Sequence, residues 1–135
     1  MAAGLPAQEF GKNKVKWERF DFQVLTSDRF EVYYYPDEEL AARDAARMLH
    51  RWYTRHRERL GFGIDSLQPV ILYANQPDFG QTKVIGGKIP PGVGGFTERL
   101  ANRIVLPLTG VYRDTEHVLA HELVHAFMFS YQRSR

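Results

Sequence analysis

The stretch 114–131 constrains the fold more than any other part of the chain. Leu119, Ala120, Leu123, Val124, Ala126, Phe127 and Tyr131 recur at helical spacing and form one broad apolar face. His121 and His125 project together from the other side, among Val118, Met128 and Phe129. A helix of this kind needs a packed layer beneath one face and open space before the other. Asp114 or Thr115 is its expected N-cap.

The remaining elements follow from periodicity. Phe20, Phe22 and Val24, then Phe30, Val32 and Tyr34, alternate about Ser27-Asp28-Arg29, which predicts two strands joined as a hairpin. Pro36 ends the second strand, and Asp37 is placed to cap a helix running to about Leu60 and stopping at Gly61. Ala42, Ala45, Ala46, Leu49, Trp52, Tyr53 and Leu60 make its apolar face. PVILYA at 69–74 is a continuous apolar run between turn residues and suits a buried strand. A short helical turn is expected at 78–81. The segment 84–95 has five glycines and two prolines, so it reads as an irregular loop and a candidate functional one. Strands are expected at 96–100 and 103–108, about a turn at Ala101-Asn102. The order β-β-α-β-(α)-β-β-α predicts an α+β or α/β sandwich on a mixed sheet.

Composition removes several function classes. A chain of 135 residues forms one domain, expected over 13–135 behind a flexible lead at 1–12. Without cysteine there is neither a thiolate nucleophile nor a Cys-built zinc site. Lys and Arg total 18 against 16 acids, too even a balance for a dedicated nucleic-acid binder. Arg43, Arg47, His50, Arg51 and Arg57 share a helix face, yet 37–60 holds six arginines against five acids, which fits a solvated surface. His56 falls on the apolar side of that helix, as a packed or rim histidine. Lys88 precedes Ile89-Pro90 instead of Ser/Thr and a helix, so the glycine loop is no phosphate cradle. No apolar run reaches the roughly 18–20 residues of a membrane span.

His121-Glu122-Leu123-Val124-His125 is an HExxH pattern. Four residues turn a helix by about 400°, bringing the two imidazoles to one face where they can share a tetrahedral metal. Glu122 sits about 100° round, beside such an ion, where a carboxylate can move protons to and from attacking water. Chance would place the pattern in roughly 1% of chains of this composition, so accident is the weaker reading. His117 extends the series, but at about 12 Å along the axis from His125 it cannot join the same ion. It is expected to decorate the first turn with Glu116.

HELVHAF, preceded by RIVLPLTG and GVGGFTERL, resembles the zincin metallopeptidases, specifically gluzincin-like, peptidase MA-like domains. FGKNKVKW, FEVYYYP and VILYANQPDFGQT extend the resemblance from about Phe10 to Tyr131. They are similar to secreted bacterial proteins in which such a domain precedes a TolB-like β-propeller. The resemblance implies a zincin-like N-terminal subdomain of α+β class. Its mixed sheet has an antiparallel edge strand and packs on a long helix and the HExxH helix. It makes His121 and His125 ligands of one Zn2+ and Glu122 the general base. It also makes Gly94, Gly95, Phe96 and Thr97 an edge that pairs with a peptide or protein substrate, although the glycines can equally mark only the end of a loop. The family's third ligand, a glutamate on a later helix, falls outside these 135 residues together with the C-terminal subdomain. The alternative function is a non-catalytic interaction module, or a fragment of a peptidase-propeller protein. Leu5-Pro6-Ala7 before Gln8-Glu9 looks like either a signal-peptidase cut or an ordinary terminus, and with the resemblance it implies a secreted or periplasmic bacterial protein.

Overall fold

A computed structural model describes residues 22–73, 83–84, 87–88, 95–99, 102–108 and 110–133. The hairpin forms as β1 (Gln23–Thr26) and β2 (Phe30–Tyr34), antiparallel, with Gln23 opposite Tyr34. A 3-10 turn at Pro36–Glu38 leads into α1 (Glu39–Leu60). β3 (Gln68–Tyr73) follows, then the short β4 (Lys83–Val84) and β5 (Gly87–Lys88). β6 (Phe96–Glu98), β7 (Arg103–Pro107) and α2 (Tyr112–Arg133) complete the fold.

The main sheet has the order β1-β2-β3-β7-β6. β2, β3 and β7 run parallel at its centre, while β1 and β6 are antiparallel edges. This is the expected α+β class with a mixed sheet. Along β2, β3 and β7, Phe30, Val32, Val70, Leu72, Ile104 and Leu106 point towards the helices and join Ala45, Leu49, Leu123 and Phe127 in one core. The alternate residues Tyr33, Ile71, Tyr73 and Val105 are buried on the other face. There Phe22 meets Tyr35 and Tyr73 edge-on, at centroid distances of 5.3 and 5.4 Å. Burial on both faces explains why β3 reads as a continuous apolar run instead of an alternating one.

α1 ends as expected, at Gly61 with φ of 84°, whose N–H bonds the carbonyl of Arg57 at 2.9 Å. A left-handed residue there is glycine's natural place. Its start differs from expectation. Pro36 sets up a 3-10 turn closed by Glu38 N–H to the Tyr35 carbonyl at 2.8 Å, so Asp37 lies inside that turn and caps nothing. The buried face of α1 also differs in part: Met48 is buried, Ala46 is only half-buried and Leu60 is exposed, while His56 is buried as expected of a packed histidine. His56 can be buried because its ring nitrogen finds a backbone acceptor on α2.

The segment 84–95 is not wholly irregular. Val84 and Gly87-Lys88 belong to a two-stranded antiparallel ribbon, with Lys83 opposite Lys88. Two residues per strand is too short to show as hydrophobic alternation. The strands expected at 96–100 and 103–108 form over shorter spans, about Asn102 with φ of 54°. The turn expected at 78–81, the lead at 1–12 and Gly94 lie outside the described residues. Among the described residues no helix is long and apolar enough to cross a membrane.

Candidate functional site

Three elements build the site: α2 carries the motif, β6 lies beside it, and α1 holds α2 in place. After β7, Gly110 turns the chain with φ of 81°, and the Val111 carbonyl accepts the first helical bond from Thr115 N–H at 3.1 Å. α2 therefore begins before both expected caps, and Thr115 is buried within its first turns. A turn that ends at Gly110 leaves the helix free to start at once, which no residue preference at 114–115 reveals.

Leu119, Leu123, Ala126 and Phe127 are buried as expected, while Tyr131, placed on the same face, is 38% exposed, its ring tilted against Phe62 at 4.6 Å. His121 and His125 are exposed. Their ring centroids are 5.0 Å apart with planes at 81°. Two imidazoles on one tetrahedral ion, with Zn–N bonds of about 2.0–2.1 Å, would have their centroids at a similar separation of roughly 5 Å. The Phe129 ring lies nearly parallel to that of His125, at 6.2 Å and 23°. Glu122 lies at the edge of the core and is 8% exposed.

β6 meets Glu122 directly. The Thr97 hydroxyl lies 2.8 Å from Glu122 Oε1 and 3.0 Å from its backbone oxygen. Gly95 makes this approach possible. A Cβ there would stand 2.8 Å from Val118 Cγ1 and 3.1 Å from Leu106 Cβ, so a side chain would push the strand off the helix. Gly95 thus serves packing between β6 and α2. Phe96 occupies the strand opposite Val105. On the far face, Glu98 accepts from Arg103 Nε in a buried ion pair that ties β6 to β7.

Gly95, His117, Val118, His121 and Glu122 line a cavity of about 230 Å³. His117 is exposed and lies beyond the first turn of α2, so it borders this cavity instead of decorating the helix start. A larger cavity of about 420 Å³ lies between the β1–β2 hairpin and α1, lined by Arg29, His50, Tyr53 and Arg57 among others. It contains no motif residue. Among the described residues no group of three or more His, Asp or Glu side chains is arranged to hold a metal, so the motif presents two imidazoles there and no third donor.

The helix pair is tied near the site. Glu116 accepts hydrogen bonds from Arg51 and, at 2.9 Å, from Trp52 Nε1. The Arg51 bond first, and the Trp52 bond next, hold the Glu116 carboxyl below its ordinary range; in return Glu116, then Tyr112, raises Arg51. On the arginine face expected to be solvated, Arg43 and Arg47 make exposed pairs with Glu39 and Asp44, whereas Arg51 reaches across to Glu116 and His50 is half-buried beside Ser27. Sequence reading missed the Thr97 hydroxyl and both ties between α1 and α2. Their partners lie 25 to 65 residues apart, and no local spacing signals them.

No protein-family model matches the chain, and no match is found among curated proteins or solved structures.

Proposed function

We propose that the chain carries the active-site helix and substrate edge of a zinc-dependent peptidase. The observation that carries this reading is the exposed His121–His125 pair at 5.0 Å, with the Glu122 carboxylate beside it on the same cavity as His121. A bound zinc ion would supply Lewis acidity and lower the pKa of a coordinated water towards ~7. His121 and His125 would hold it, with a further donor from outside the described residues.

Glu122 takes a proton from the attacking water and returns it to the departing amine, so one carboxylate serves both halves of the hydrolysis. Its placement at the rim of the core shields it from bulk water, and its link to β6 keeps it beside the histidines. β6 is an edge strand of the described sheet, so its outer edge offers N–H and C=O groups with which an extended peptide can pair. That pairing would lay the scissile bond along the cavity. A peptide or protein substrate follows from this, and a C-terminal propeller and a secreted or periplasmic bacterial setting from the family resemblance.

The test is cleavage of labelled casein by the zinc-loaded chain and by its Glu122→Gln variant. Loss of the carboxylate should slow cleavage about 10²–10⁴-fold. Equal rates would remove the catalytic assignment, and a chain without metal or cleavage would favour a non-catalytic interaction module.

A further inference from the structure

Glu122 Oε1 takes the Thr97 hydroxyl at 2.8 Å, while the backbone oxygen of Glu122 lies 3.0 Å from the same hydroxyl. A hydroxyl has one proton to donate, and an ionised acceptor makes the stronger bond. The carboxylate is therefore the partner that holds Thr97, and Thr97 the group that holds it. Among the described residues the other carboxylate oxygen, Oε2, accepts no hydrogen bond. Glu122 lines the cavity with His121, so one oxygen is anchored to the strand while the other is free to face the reacting water. With Glu122 only 8% exposed, there is little room for a second arrangement.

We infer that Thr97 is a positioning residue that fixes the Glu122 carboxylate, so that the strand receiving the peptide also aims the base. The inference rests on the peptidase reading above. It gives the inward face of β6 a task separate from its outer edge: the backbone of the strand takes the substrate, and one side chain sets the proton acceptor. A peptide that pairs with β6 thereby bears on the same element that orients Glu122. Gly95 belongs to this arrangement, since β6 reaches Glu122 only because no side chain intervenes two residues earlier.

Thr97→Val keeps the β-branch and removes the hydroxyl, whereas Thr97→Ser keeps the hydroxyl. With the zinc-loaded chain and a quenched fluorescent peptide, Thr97→Val should lower kcat about ten- to a hundredfold, with KM and zinc per chain unchanged. Thr97→Ser should recover most of the loss, and Thr97→Val should add little in a Glu122→Gln background. A readout without activity is the urea midpoint of Thr97→Val, Glu122→Ala and the double variant, which should be non-additive because the two side chains share one bond. A Thr97→Val chain with wild-type kcat, a loss that Thr97→Ser leaves unrepaired, or additive midpoints would overturn the inference and leave the peptidase reading standing. A wild-type chain that neither binds zinc nor cleaves peptides would overturn both.

Discussion

His56 Nε2 lies 2.9 Å from the backbone oxygen of Ala120, so a ring from α1 is bonded to the residue just before the first histidine of the motif. The carbonyl accepts, which fixes Nε2 as the protonated nitrogen. The same ring packs edge-on against Phe127 at 5.8 Å and lies 5.5 Å from Trp52. His56 thus places α2 against α1 at the height of the site.

Replacing His56 with Phe keeps an aromatic ring and removes the donor. Stability should fall by about 0.5–1.5 kcal/mol, the net worth of a hydrogen bond of this kind. His56→Ala, which also loses the ring contacts, should fall further. Thermal unfolding of the three chains checks this, and a His56→Phe midpoint equal to wild type would mean that the bond does not hold the helices.

Glu116 predicts an acid dependence. Its carboxyl is held below the ordinary value of 4.5 by Arg51 first and Trp52 next. A carboxyl depressed in the folded state adds stability that is fully present above its unfolded value and is lost as pH falls through the folded one. The urea-midpoint gap between wild type and Glu116→Gln should stay constant from about pH 7 to about pH 5, then shrink in more acid solution. Added salt should narrow it at neutral pH, because the pair is partly exposed. A gap that widens towards acid would contradict the arrangement.

Gly95→Ala should destabilise the chain by about 1–3 kcal/mol, since the new methyl meets Val118 and Leu106 in a packed seam. Val118→Ala removes the nearest clash, at 2.8 Å, so the double variant should be less destabilised than the sum of the two singles. Chemical unfolding of the four chains measures this, and simple additivity would show that Gly95 is not held against α2.

The elements legible from sequence were those with a local cause. Alternation marked β1 and β2, the left-handed glycine marked the end of α1, and the apolar run marked β3, buried on both faces. The histidine pair was legible because helical spacing alone brings His121 and His125 together. What could not be read is long-range. Thr97 was expected to serve through its backbone at the edge, yet its side chain turns inward to Glu122. Gly95 was expected at a substrate edge or a loop end, and the tight strand-to-helix packing it also serves could not be read. Met48 replaced Ala46 on the buried face of α1 because the rotation of a helix is set by what it packs against, not by its own apolar stripe.

The central claim is that His121 and His125 grip one ion. Zinc bound per chain, measured by plasma spectrometry after equilibrium dialysis at neutral pH, tests it most directly. The account predicts about one zinc ion on the wild type, the same on Glu122→Gln, and a marked loss on His121→Ala and on His125→Ala. Zinc at background on the wild type, or retained in full by both alanine variants, would contradict it.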